Sequence, residues 1–219
     1  YIPLSYHQGP RTIRKYRDFD MAFVVVAGMD KNGYFNYGLS NSLTAAVLDK
    51  AKRIIVEVNT CVPYCLGGNK ESIHISKVDY IVEGNNTPLA EVKPGVPKEV
   101  DRRIAEHIMK EIEDGACLQL GIGGLPNLIG RMIAESDLKD LGIHTEMMVD
   151  SCVDLYNAGK VTGRRKQVDR GKMVYTFAMG TKKLYDFLDH NPTCSSYPVD
   201  IINDPRIISF NNKVVAINN

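Results

Sequence analysis

Residues 116–137 read ACLQLGIGGLPNLIGRMIAESD, and the order of events within them sets the fold class. An apolar, strand-like run from Cys117 meets the glycines at 121, 123 and 124, then continues as a helix-like run from Leu125. A strand that turns through glycines straight into a helix is a unit of layered α/β proteins. Pro126 falls in the first helical turn, where a missing N–H removes no helical hydrogen bond. Glycines permit φ > 0 and the close approach of another backbone or a ligand. The unpaired N–H groups of a helix start, with the helix dipole behind them, suit an anion. Phosphate, pyrophosphate and a carbonyl oxygen gaining charge are all fitting guests. The spacing is not that of a dinucleotide loop, because Pro126 stands where G-x-G-x-x-G needs its last glycine. Nor does Gly-Lys-Ser/Thr follow, as a P-loop requires. From the pattern alone, a tight turn whose glycines serve only packing stays open.

The same alternation extends outward. Short β-branched runs at 22–28, 53–59, 79–84, 143–149 and 173–180 read as strands, and RIISF/KVVAIN around Asn211-Asn212 reads as a hairpin. Helical periodicity lies between them. It occupies 42–52 behind the cap-like Asn41, 100–112 with Ile104, Ile108 and Ile112 on one face, and the runs LPNLIGRMIAES and TKKLYDFLDHN. The expected fold is therefore α/β with largely parallel sheets. A proline- and glycine-bearing stretch, 88–101, separates a strand from a long helix and reads as a linker, with a domain boundary between Lys93 and Pro97.

Composition narrows the function classes. Of 219 residues, 44% are hydrophobic and 24% charged, with a net charge of +1, which suits one large or two small globular domains. The densest basic cluster is Arg164-Arg165-Lys166, too short for a nucleic-acid footprint. No apolar run approaches the ~20 residues of a membrane span, so neither partner is expected. Five scattered cysteines, an odd number, read as reduced thiols of a cytoplasmic protein. Cys61 and Cys65 beside His74 lack the further ligands of a zinc site, so no metal is expected.

The next strand-like segment, LGIHTEMMVD (141–150), puts His144, Glu146, Met148 and Asp150 on one face and Ile143, Thr145, Met147 and Val149 on the other. A carboxylate inside a strand of a covered parallel sheet must be paired, protonated or used. Sites of open α/β sheets gather at the carboxyl ends of strands, where the glycine loop also ends. Capping in solvent, or pairing with Arg131, is the alternative for Glu146.

In this order and spacing, LQLGIGGLPN, LGIHTEM, FAMGTKKLYDFLDHNP and PVDIINDPR resemble a CoA-transferase family that includes butyryl-CoA:acetate and 4-hydroxybutyrate CoA-transferases and acetyl-CoA hydrolases. Upstream, DKNGYFNYGLS, AKRIIVEVN, IHISKVDYIVEG and EIEDGACLQLG fit as well, so the resemblance covers essentially the whole chain. KNGYFNYG and CLGG are closest to the butyryl-CoA:acetate branch.

The resemblance implies two open-sheet α/β domains meeting at a cleft, both incomplete here. Residues 1–95 would be the C-terminal part of the first domain and 96–219 the first part of the second. Glu146 falls on the family's catalytic glutamate. Gly121, Ile122, Gly123, Gly124 and Leu125 fall on its CoA-binding loop. The implied chemistry is short-chain acyl-CoA:carboxylate CoA transfer through a glutamyl-CoA thioester. Coenzyme A is then a substrate, with no tightly bound cofactor, and the working form is a homo-oligomer. Glu146 and the loop are expected to share one cavity.

Acetyl-CoA hydrolysis on the same scaffold is the alternative activity, and a non-catalytic nucleotide-binding module a more distant one. Ser40 and Asn41 are candidates for the acyl or carboxylate pocket, and Lys182 and Lys183 for CoA phosphates. His144 is a candidate for the same cleft, and Glu57 has no assigned role. Family members are considerably longer, and their later glycine-rich segment has no counterpart in this chain. The 219 residues alone are therefore expected to be inactive or poorly folded.

Overall fold

The computed structural model describes residues 2–93 and 95–218. The amino-terminal part runs α1 (Gly9–Tyr16), β1 (Ala22–Val26), β2 (Tyr34–Asn36), α2 (Thr44–Leu48), β3 (Ile54–Val58), β4 (Ser72–His74) and β5 (Tyr80–Glu83). Strands β1, β3 and β5 form a parallel sheet in that order, and β2 pairs antiparallel with β4. Alternation along β1 and β3 turns Ala22, Val26, Ile54 and Val56 inward against Phe35, Leu48 and Ile73. Each such fully buried aliphatic side chain contributes about 1.5–3 kcal/mol relative to exposure. The opposite sheet face is open. Phe23 on it is 73% exposed, and Val25, Tyr80 and Val82 are exposed too. Glu57 lies on that face as an exposed carboxylate.

The carboxyl-terminal part runs α3 (Glu99–Met109), β6 (Cys117–Leu120), α4 (Gly124–Glu135), β7 (Gly142–Ile143), β8 (Met147–Met148) and α5 (Asp150–Asn157). It continues through β9 (Met173–Tyr175), β10 (Phe177–Ala178), α6 (Lys182–Leu188), β11 (Cys194–Ser196), α7 (Val199–Ile202), α8 (Pro205–Ile208) and β12 (Val214–Ile217). Its strands are all parallel. β12, β6 and β7 lie side by side, a His144–Val174 bridge joins β7 to the next strand line, β8 pairs with β10, and β9 with β11. The segments expected as single strands at 143–149 and 173–180 are each interrupted, at residues 144–146 and at Thr176. Among the described residues, no helix is long and apolar enough to cross a membrane.

The opening stretch folds as read. Cys117, Leu118 and Leu120 are buried on β6, and α4 begins directly after Gly123. Pro126 is the third residue of α4, where no intrahelical bond is due. Leu125, Leu128, Ile129 and Ile133 bury one stripe of α4, and Ser136 ends the helix by turning its hydroxyl onto the Ile133 carbonyl at 2.8 Å. Truncating Ile129, fully buried, to alanine is expected to cost about 2–5 kcal/mol.

Two expectations need correction. RIISF is not a strand of a hairpin. Asp204 caps α8 by accepting from the Arg206 amide at 2.9 Å, Pro205 occupies the first helical position, and only the following segment pairs, as β12. The apolar face of α3 is also misplaced in part. Ala105 is its fully buried residue, letting α3 pack closely on α4; Ile108 packs against the core and Ile112, just past the helix end, is buried in it, so of the three isoleucines Ile104 alone turns outward.

The two parts are knitted together rather than merely tethered. Residues 40 and 42 bridge to Phe177 and Pro198, Gly67 bridges to Ser196, and buried Cys65 joins the carboxyl-terminal core.

Candidate active site

Glu146 sits in the gap between β7 and β8, half-buried, at the carboxyl end of the strand. Its main chain is fixed from one side, because its carbonyl accepts from the amides of Thr176 at 3.0 Å and Phe177 at 3.3 Å. Thr145, fully buried, steadies the gap from within, with its hydroxyl 3.0 Å from the Met147 carbonyl and 3.4 Å from that of Leu120.

The register carries the loop to the same level. Cys117 pairs with Gly142 and Leu118 with Ile143, and the Thr145 hydroxyl lies 3.4 Å from the Leu120 carbonyl, so the residues just before Glu146 and Gly121 are neighbours. Gly121 stays in the sheet, donating its amide to the Ile217 carbonyl at 2.9 Å. A side chain there would press on that carbonyl at 3.3 Å. Beyond it the chain leaves the ladder. Gly123 takes φ 131°, a conformation that strongly favours glycine. Among the described residues, the amides of Ile122, Gly123, Gly124 and Leu125 have no hydrogen-bond partner. They gather at the positive end of the twelve-residue helix α4. Packing accounts for Gly124 as well. A Cβ on it would meet the Val96 carbonyl at 3.0 Å and Pro97 at 3.1 Å, while one on Gly95 would meet the Gly124 nitrogen at 2.9 Å. The linker therefore lies directly on the loop, so both readings of the glycines apply, at different positions.

The carboxylate of Glu146 does not pair with Arg131, which lies in a groove between α3 and α4. Its Oε2 accepts instead from the side-chain amide of Asn203, the residue that follows α7. Asn203 is held by a corner. The next residue, Asp204, caps α8 and takes the Arg206 guanidinium, whose hydrogen bonds pull the Asp204 carboxyl down to about 2. The other amide atom of Asn203, Oδ1, is buried without a partner among the described residues, as are Thr176 Oγ1 and Asn41 Oδ1. All three belong to residues within one or two hydrogen-bonded links of Glu146.

Asn203 was not singled out in the sequence; the only signal for it is its place in the motif PVDIINDPR. Asn41 reaches the region differently from expected. It does not cap α2; its amide donates to the Thr176 carbonyl at 3.0 Å and its side chain is buried. Ser40, beside it, is exposed and bridges to Phe177.

His144 points to the same side of the sheet but is a structural residue. Its Nε2 donates to the Ile202 carbonyl at 2.8 Å, its Nδ1 faces the Asn211 amide at 3.5 Å, and burial lowers its pKa. The ring is thus a neutral strut between β7 and α7. Lys182 and Lys183 are engaged by Asp186 and Asp154 at the exposed start of α6.

The main cavities do not contain Glu146 or residues 121–125. One of them, about 500 Å³, lies between residues 60–63, the linker and α6, where Cys61 is exposed. The expected shared cavity is therefore not among them, and what links the segment of Glu146 to that of the loop is the pairing of β6 with β7 and the contact of Thr145 with Leu120.

Two family descriptions match the chain. The N-terminal domain of acetyl-CoA hydrolase/transferase matches residues 1–93, and the C-terminal domain of the same family matches residues 180–219. A butyryl-CoA:acetate CoA-transferase of Anaerostipes caccae is 53% identical over the whole chain, which covers 50% of that relative. The crystal structure of RipA from Yersinia pestis superposes with a TM-score of 0.93 at 42% identity, covering 99% of this chain and 49% of that one. That of a 4-hydroxybutyrate CoA-transferase from Porphyromonas gingivalis gives 0.90 at 38% identity, covering 97% and 54%. The chain thus spans about half the length of the relatives it matches.

Proposed function

The chain belongs to the acetyl-CoA hydrolase/transferase family, and we propose that the protein it represents transfers coenzyme A between short-chain acyl groups with Glu146 as the nucleophile. The observation that carries this reading is that Glu146 and the glycine loop follow the carboxyl ends of the paired parallel strands β7 and β6, with the Thr145 hydroxyl 3.4 Å from the Leu120 carbonyl and four unpartnered amides beyond.

An ionised Glu146 oxygen attacks the thioester carbonyl carbon of an acyl-CoA. The carbon–sulfur bond breaks, leaving a mixed anhydride and CoA thiolate. The thiolate attacks the Glu146 carbonyl carbon and expels the first carboxylate, giving a glutamyl-CoA thioester. A second carboxylate attacks that carbon, releases the thiolate and forms a new anhydride. The thiolate then attacks the incoming acyl carbon and frees Glu146. No proton or electron is gained or lost across the cycle. A carboxylate suits the role because its anhydride is about as reactive as the substrate's own.

The amides of residues 122–125, at the start of α4, suit the phosphates of CoA or a developing oxyanion. Losing one oxyanion donor costs about 10²–10³ in rate in enzymes that use them. Asn203 holds one Glu146 oxygen and so leaves the other to attack. We assign residues 1–95 to the first domain of the longer protein and 96–219 to the second, working without a resident cofactor as a cytoplasmic homo-oligomer.

The intact protein is given butyryl-CoA, reduced with borohydride and digested. The modified peptide is expected to carry its label on Glu146; a label elsewhere, or none, refutes the nucleophile. Turnover with and without added acetate distinguishes transfer from hydrolysis, and acetate-independent release of CoA at the full rate would make the protein a hydrolase.

A further inference from the structure

A second concave site lies in the amino-terminal part, remote in sequence from Glu146. The β2–β4 pair, the end of α2 and the turn after β4 enclose about 440 Å³, within the size range of small-molecule pockets. Its walls collect donors that the protein itself leaves unused. The Tyr37 side chain is largely buried and Ser72 half-buried, and among the described residues neither hydroxyl makes a hydrogen bond within the protein. Lys70 and Lys77 line the same space, and among the described residues neither has a carboxylate within ion-pair distance.

The carboxylate on the wall, Asp49, is already taken by the Arg14 guanidinium at 3.0 Å. Burial and the nearby Asp49 and Glu71 push the Tyr37 hydroxyl up, so it keeps its proton and serves as a donor. Lys70 holds φ 57°, an unfavourable conformation for a side-chain-bearing residue, at the rim of this space. One side of the pocket is apolar and aromatic. Tyr34 meets the edge of His74 with centroids 4.9 Å apart, and Leu48 and Ile73 form the floor.

We propose that this pocket binds a small organic oxyanion, whose charge rests on Lys70 and Lys77 and whose remaining body lies on Tyr34, Leu48 and Ile73. Two ammonium groups with two hydroxyl donors free of partners match the several acceptor oxygens of a phosphate ester or carboxylate. The inference is independent of the chemistry assigned to Glu146, since no residue is shared.

The test titrates the intact protein with adenosine monophosphate, inorganic phosphate and butyrate by calorimetry in about 0.1 M salt, where surface charges are screened beyond ~10 Å. At least one probe is expected to bind saturably. Lys70→Gln with Lys77→Gln is expected to weaken it tenfold or more, and Tyr37→Phe about threefold. Both lysines are exposed, so the variant should melt as the parent does. Butyrate and adenosine monophosphate also suit the site of Glu146, so only the saturable component weakened by the lysine substitutions counts: phosphates alone in it identify a phosphate ester, and butyrate alone a carboxylate. Glu146→Gln should leave this affinity unchanged. Absence of saturable binding by every probe, affinity unmoved by the lysine substitutions, or loss of binding in Glu146→Gln would each overturn the proposal.

Discussion

Asn203→Ala isolates what the amide contributes to the nucleophile. The substitution removes one hydrogen bond to a carboxylate, a class worth about 1.5–3 kcal/mol when buried. Glu146 is only half-buried, so the lower end applies, and about 1.4 kcal/mol corresponds to a tenfold change in rate. Stability should move little. The Asn203 Oδ1 is already buried without a partner, and deleting it relieves a penalty of about 1 kcal/mol or more. The expected signature is therefore a roughly tenfold lower kcat/KM for acetate-dependent consumption of butyryl-CoA at a melting temperature within a few degrees of the parent. Asn203→Asp is the sharper companion. It sets a second carboxylate against Glu146 in place of a donor, so kcat/KM should fall further than in Asn203→Ala. Full activity in Asn203→Ala, or a loss that tracks unfolding, would refute the positioning role.

Other outcomes follow from separate parts of the structure. Glu146→Gln should lower turnover by about 10³-fold or more without unfolding the protein, checked by initial rates and circular dichroism. Gly124→Ala should destabilise by about 1–3 kcal/mol, because its Cβ meets the Val96 carbonyl and Pro97; thermal melting reads this as a shift of several degrees. Lys166 is buried, with its ammonium on the carbonyls of Ile143 at 3.0 Å and Lys172 at 2.8 Å, and burial lowers its pKa to about 8. Its folded pKa lies below the unfolded value of 10.5, so the unfolded chain binds more protons between those limits and stability rises with pH there. From pH 7 to pH 9 the gain should be about 1 kcal/mol relative to Lys166→Met, measured by urea unfolding at each pH. An equal pH slope in the two proteins would show that Lys166 does not titrate in that window.

The parallel α/β layering was legible because it rests on short-range pattern. β1, β3, β5 and β6 are β-branched or apolar runs, and α4 carries its own breaker and stripe. The hairpin at the carboxyl end was misread because RIISF has strand-like composition, while its conformation is decided by the Asp204 cap and Pro205 just upstream. The face of α3 was read correctly at Ile108 and Ile112 and wrongly at Ile104, because close packing on α4 favours the smaller Ala105 at the contact. At the site, Glu146 was legible as a charge in a strand, and the amides of 122–125 as a glycine-rich helix start. Asn203 was not, since a single asparagine more than fifty positions away acquires meaning only when α7 folds beside β8. The sites of Tyr37, Lys70 and Lys77 were equally silent, because antiparallel pairing of β2 with β4 is what brings them together.

The paired interruptions in the sheet have a consequence for how this region tolerates change. His144 faces Val174 and Met147 faces Phe177, a separation of thirty positions on either side of the gap. Neither strand has gained or lost a residue relative to its neighbour; both step out of the ladder together. An insertion or deletion in one line alone would throw β8 out of step with β10 and swing the nucleophile away from its cradle. Length variation around Glu146 should therefore be admissible only in matched pairs, which makes the two segments a single unit for mutation although they are far apart in the chain.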